Sequence, residues 1–209
     1  TILIVLFVLG IGTVSAAETK DEQFLLSEDT YKALNQAQEL MEKESYPQAQ
    51  QQLNNLLDKV EKGSYEQAVV LQTLGFLYSS LEQYKKATDT FQRALDLDAL
   101  PKDVTHTLRY NLAQLLIADG QYKKGIPLME EWLSAEKKPD NTVYVLLASA
   151  YYQIENFSKA ADRINIAIKN DKTPKEDWYR LLLSSYLSLK HYKSAINVLE
   201  VLITRYPHK

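Results

Sequence analysis

The amino-acid sequence predicts an all-α solenoid of about five stacked helix hairpins. Three observations carry this. An aromatic residue followed three positions later by a small one recurs as Tyr46/Ala49, Tyr84/Ala87, Tyr122/Gly125, Phe157/Ala160 and Tyr192/Ala195. The aromatics stand 38, 38, 35 and 35 residues apart, and such periods mark repeat architectures. Proline recurs beyond four of these segments, at Pro101, Pro139, Pro174 and Pro207, where it ends one helix or opens the next.

Each pair opens a second helix of a hairpin. Leu53/Leu56, Phe91/Ala94, Met129/Trp132, Ile164/Ala167 and Leu199/Leu202 lie four and seven residues beyond the small residue, on one helix face. A first helix precedes each aromatic. Leu74-Gly75-Phe76-Leu77-Tyr78 leads to Tyr84, and Leu112-Ala113 with Leu116 leads to Tyr122. Leu147-Ala148 with Tyr151 leads to Phe157, and Leu182-Leu183 with Tyr186 leads to Tyr192. Gly75, Ala113 and Ala148 let the two helices approach closely, while Leu183 in the same register predicts a splayed last hairpin. No hairpin buries its own apolar face, so at least three must stack to make a core. The longer spacings exceed the usual period by about one helical turn. They predict lengthened helices around Glu61-Lys62-Gly63 and Leu97-Asp98-Ala99-Leu100.

The N-terminus differs from the rest. Ile2 to Val14 carries no charge, Val14-Ser15-Ala16-Ala17 supplies small residues, and Glu18 is the first charge. This order predicts a signal peptide over residues 1–17, cut after Ala16 or Ala17. The alternative is an uncleaved anchor; the small-residue site favours cleavage, and the run falls short of the roughly 20 residues of a membrane span. Without a basic n-region or initiator Met, the chain is expected to be a fragment at this end. An irregular segment over 18–29 then leads into the repeats, expected at about 30–63, 68–101, 106–139, 141–174 and 176–209. The expected localisation is periplasmic or secreted. With no cysteine, the exported protein has neither a disulfide framework nor a lipobox.

The net charge of −3 is small and its members alternate in sign. Lys85-Lys86, Lys123-Lys124 and Lys137-Lys138 sit near acidic residues, which excludes the basic stripe of a nucleic-acid binder. Membrane association is expected only through a partner. His106, His191 and His208 are far apart, no pair has metal-ligand spacing, and no nucleophile elbow, P-loop or dinucleotide glycine pattern occurs. The expectation is no catalytic residue, no metal and no cofactor.

The repeat residues resemble the tetratricopeptide repeat family, whose pattern of about 34 residues is W-x2-L-G-x2-Y, A-x3-F and a final proline. Leu71-x2-Leu74-Gly75-x2-Tyr78 followed by Ala87-x3-Phe91-x2-Ala94 matches it best, and Gln36-Ala37 with Leu40 matches least. The resemblance implies a right-handed superhelix whose first helices line a concave groove. By register the lining is Gln72, Phe76 and Ser79, then Tyr110, Gln114 and Ile117. Val145, Ser149 and Tyr152 follow, then Arg180, Ser184 and Leu187. Such a lining suits an extended segment or helix of a protein partner; the convex face is the alternative. The lysine and asparagine clamp by which some family members hold a C-terminal carboxylate is absent, since Leu34/Gln38, Gln72/Phe76 and Tyr110/Gln114 occupy its positions.

The chain is also similar to periplasmic repeat proteins of Gram-negative bacteria. More narrowly it resembles those encoded beside TonB-type energy-transduction systems, on the leader, the irregular first hairpin, Trp178-Tyr179-Arg180-Leu181 and Leu202-Ile203-x-Arg205-Tyr206-Pro207. The implied function is a non-catalytic scaffold in the envelope. Alternatives are the regulatory repeat region of a larger envelope enzyme and a scaffold for cell-wall or outer-membrane assembly. A solenoid end without a polar cap is sticky. The C-terminal end is therefore expected either to continue into further hairpins or to associate with a partner or itself. Tyr186, Leu189, Val198, Val201 and Leu202 are the expected exposed residues.

Overall fold

The computed structural model describes residues 24–207; the expected signal peptide at 1–17 and the start of the 18–29 segment lie outside them. Ten helices follow in order among the described residues, with no strand. They are α1 (Glu28–Glu42), α2 (Tyr46–Leu57), α3 (Tyr65–Ser80), α4 (Tyr84–Asp96) and α5 (Lys102–Ala118). Then come α6 (Tyr122–Ala135), α7 (Asn141–Gln153), α8 (Phe157–Asn170), α9 (Glu176–Ser188) and α10 (Tyr192–Arg205). The recurring aromatic is the first residue of every second helix, α2, α4, α6, α8 and α10.

The three-residue turn inside each hairpin has one construction. In the α3–α4 turn, Gln83 N–H donates to the Tyr78 carbonyl at 2.9 Å and Glu82 N–H to the Ser79 carbonyl at 3.0 Å. These bonds close a Schellman motif and satisfy carbonyls that the helix end leaves free. The motif needs a left-handed residue, and Glu44, Glu82, Gly120, Glu155 and Lys190 supply it, with φ of 56°, 57°, 76°, 59° and 59°. Only one of the five is the glycine that suits this conformation.

The core belongs to the joints between hairpins. Ala37, Leu53 and Leu56 meet Val70, Leu74 and Leu77 of the next hairpin. Phe91 and Ala94 meet Leu108 and Leu112. Met129 meets Leu147 and Tyr151, and Ile164 meets Trp178 and Leu182. Inside the hairpins, small residues set the spacing. A Cβ at Gly75 would lie 2.4 Å from two ring carbons of Phe91, and one at Gly125 would lie 2.7 Å from Ile117 Cγ1. Ala49, Ala87, Ala113, Ala148 and Ala160 are fully buried.

Three expectations are corrected. Residues 61–63 and 97–100 are not helical. Gly63 and Asp98 are left-handed at φ 79° and 48°. Ser64 caps α3 by accepting from Gln67 N–H at 3.1 Å, and Pro101 bars Leu100 from helical conformation. The extra residues are taken up mainly in the first helices: α3 and α5 have 16 and 17 residues where α7 and α9 have 13 each.

The second correction concerns the C-terminal face. Val198 and Leu202 are only 8% exposed, because they face α9 beside Trp178, Tyr179 and Leu182. Tyr186, Leu189 and Val201 are half-buried. The residues that stand out of α10 are Tyr192, Ile196, Leu199 and Ile203, at 61%, 56%, 45% and 66% exposure. Third, Phe76 and Ile117, expected in the groove, are buried within their hairpins. The first and last hairpins, α1–α2 and α9–α10, are both more loosely apposed than the three between them, although Ala37 holds the small position in the first and Leu183 in the last.

Candidate functional site

Neighbouring first helices touch directly, α1 with α3 and α7 with α9, whereas no two second helices do so to the same extent. The outward rows of the first helices, on the side where these contacts lie, form the candidate interface. Gln72 and Ser79 on α3 and Ser184 on α9 are half-buried. Their side chains make no hydrogen bond among the described residues, so their amide and hydroxyl groups are available to a ligand.

On α5, Gln114 Nε2 donates to the Tyr110 hydroxyl at 2.8 Å. The Tyr110 ring tilts against Trp132 of α6 with centroids 4.5 Å apart. Burial raises the Tyr110 hydroxyl pKa above its usual value, aided by the negative charge of Asp140, so this hydroxyl stays a neutral donor. On α7, Ser149 turns its hydroxyl back onto the Val145 carbonyl at 2.9 Å. Val145 packs into the joint with the last hairpin, and Tyr152 meets Phe157 edge-on at 5.2 Å. On α9, Arg180 bonds Glu176 through Nε at 2.8 Å, and Leu187 is half exposed at 50%.

Two residues expected in the groove are not there. Phe76 is 9% exposed and Ile117 5%. Phe76 packs edge-on against Phe91 at 4.8 Å, and Ile117 fills the space over Gly125. Ile117 is drawn into the hairpin because Gly125 opposite it has no side chain, and Phe76 turns inward against the Phe91 ring, which itself lies over Gly75.

An aromatic cluster enlarges the α5–α6 part of the site. His106 stacks on Trp132 at 5.3 Å with the rings 18° apart, and its Nε2 lies 3.4 Å from Glu136 Oε2. The Lys138 N–H and His106 hold the Glu136 carboxyl below the ordinary value. The signal was in the sequence: Trp132 occupies the register position of Ala94 and Ala167. Below it, Glu130 of α6 accepts from Arg163 Nε and Nη2 of α8 at 2.9 and 2.5 Å and from the Tyr151 hydroxyl of α7 at 2.9 Å. Burial, then this bond, pushes the Tyr151 pKa up to about 12. Among the described residues no group of three or more His, Asp or Glu could hold a metal ion.

Tetratricopeptide repeat models match residues 68–99 and residues 145–209. No curated protein matches the sequence. Among solved structures, MamA from Desulfovibrio magneticus RS-1, residue 41 to its end, is 20% identical with a TM-score of 0.66, over 88% of this chain and 100% of that one. YrrB, described as a tetratricopeptide repeat protein with an unusual peptide-binding site, is 19% identical with a TM-score of 0.69, over 86% of this chain and 88% of its own. A putative kinesin light chain with nearly identical repeats from Podosopora anserina is 14% identical with a TM-score of 0.58, over 86% of this chain and 98% of that one. At these identities the likeness is one of fold. Residues 68–99 and 145–209 thus carry tetratricopeptide repeats, and the fold of the chain is an all-α solenoid of such hairpins.

Proposed function

We propose that the chain is a non-catalytic scaffold that holds an extended segment or helix of another protein along its first helices. The observation that carries this is the row of unengaged polar groups at Gln72, Ser79 and Ser184 flanking the half-buried Tyr110–Trp132 pair. Amide and hydroxyl groups beside a rigid aromatic shelf suit a peptide backbone and an apolar anchor. The peptide-binding site named for YrrB supports the same use of the fold. Photocrosslinkers placed singly at Gln72 or Ser184, in cells that make the protein, test it. A discrete protein adduct is expected from these positions and not from Arg93 or Asp162 on second helices. The reverse pattern would move the site to the convex face.

The finer proposal is an exported scaffold, periplasmic or secreted, accessory to a TonB-type system. The uncharged run Ile2 to Val14 and the small residues after it support export. No described helix is long and apolar enough to cross a membrane, in keeping with attachment through a partner. Sequencing the mature N-terminus checks export: a start at Ala17 or Glu18 is expected, and an uncut leader refutes it. Co-purification with an energy-transduction protein, lost in the Tyr110→Ala variant, checks the narrower assignment.

A further inference from the structure

Helix α10 carries Tyr192, Ile196, Leu199 and Ile203 on its outer side, each between 45% and 66% exposed. Their steps of four, three and four residues draw one continuous seam along the helix, the pattern of a coiled-coil contact. The face toward α9 is separate and already filled by Ala195, Val198 and Leu202. The four side chains expose roughly 400 Å² of apolar surface per copy, more than scattered surface residues account for.

We infer that this seam pairs with the same seam of a second copy, antiparallel about a two-fold axis between Ile196 and Leu199. The spacing is self-complementary. Ile196 lies beside Leu199 of the second copy, and Tyr192 beside its Ile203. The flanking charges agree with this orientation. Lys193 and Glu200 are the residues that follow Tyr192 and Leu199 on the solvent flank of the seam; both are exposed, and neither makes an ion pair among the described residues. Antiparallel pairing brings Lys193 of each copy to Glu200 of the other, twice over. Parallel pairing leaves both without a partner, because the opposite flank holds Ala195 and Leu202. The two-fold operation makes the contact isologous and closed, so it stops at a dimer. With the flanking side chains the pair buries about 1,000 Å², at the low end for a stable interface. The dimer is therefore weak and forms as concentration rises.

The test is sedimentation equilibrium of the purified chain over about two decades of concentration, with circular dichroism confirming that each variant is folded. Wild type is expected to pass from monomer to dimer and no further. Ile196→Glu, at an exposed site, abolishes the dimer. Lys193→Glu alone and Glu200→Lys alone each weaken it severalfold, by setting like charges together at both symmetric contacts. Lys193→Glu with Glu200→Lys restores it. Failure of the double variant to recover overturns the two-fold pairing. So does association that ignores Ile196→Glu. A monomer at every concentration also overturns it and assigns the seam to a helix of another protein or to further chain.

Discussion

Replacing Gly75 with alanine sets two effects of opposite sign against each other, and the structure decides between them. In a solvent-facing helix interior the change would stabilise by about 1 kcal/mol through helix propensity. Here the new methyl would lie 2.4 Å from Phe91 Cδ1 and Cε1 and 3.1 Å from Cγ. Ordinary carbon contacts begin near ~3.5 Å, so the ring must retreat by roughly 1 Å. It has nowhere to go: Phe91 is 1% exposed, and Phe76 stands against it at 4.8 Å. Overpacking of this kind costs about 1–3 kcal/mol, and with a ring so enclosed the upper half of that range applies. The net expectation is a loss of about 1–2 kcal/mol, a fall in Tm of about 2–8 °C for a chain of this size. Thermal and urea melts followed by circular dichroism read it. Phe91→Leu in the same chain should recover part of the loss, because residues in contact are not additive. A Gly75→Ala protein that melts higher than wild type, or a double variant that shows only the sum of the two losses, would refute the close-approach argument.

Other outcomes follow from the same geometry. Glu82→Gly should raise stability by about 0.5–1 kcal/mol, since a side chain in the left-handed region costs more than the glycine's extra chain entropy; Gly120→Ala should lower it by a similar amount in the same melts. Ala113→Leu should cost about 1–3 kcal/mol at a site with no free space, whereas Gln121→Leu in the adjoining turn should change the midpoint little. The Thr142 side chain, and then the Thr142 N–H that Asp140 accepts at 2.8 Å, hold the Asp140 carboxyl below its ordinary value. A depressed folded-state value means the contribution is present above the unfolded value and lost as pH falls through the folded one. Asp140→Ala should therefore cost about 1 kcal/mol at neutral pH, with a difference from wild type that closes as pH is lowered below 3.8 in acid titrations.

The helix pairs were legible because one aromatic begins every second helix and one small residue follows it three positions later. That pair is a packing requirement, and packing repeats with the architecture. What sits between the helices was less legible. The extra residues near Gly63 and Asp98 could have extended a helix; the Ser64 cap and Pro101 decide otherwise, and caps compete with helix extension on small energies. Phe76 and Ile117 had the register of groove residues, but the sequence does not show that Gly125 leaves space for Ile117 to fold inward, nor that Phe91, seated over Gly75, offers Phe76 a ring to pack against. On α10 apolar residues occupy two faces. Sequence periodicity cannot choose which one α9 takes, and Val198 and Leu202 are the ones it covers.

The grip of Glu130 on Arg163 and Tyr151 bears on how the superhelix yields to load. Of all successive helices, α6 and α7 have the sparsest direct contact, and this ionic staple spans them. A row of hairpins behaves as a spring whose stiffness is set joint by joint. Joints fastened by hydrocarbon alone tighten in kosmotropic salts such as sulfate, while this one, where an ion pair adds to the packing of Met129 on Leu147, gives up part of its attraction to screening. Compliance is therefore uneven, and the pitch between Tyr110 and Val145 is the part of the spring that ionic strength can tune. Small-angle scattering in low and in about 1 M salt should show a radius of gyration that shifts in wild type and stays fixed when Glu130 and Arg163 are both glutamine.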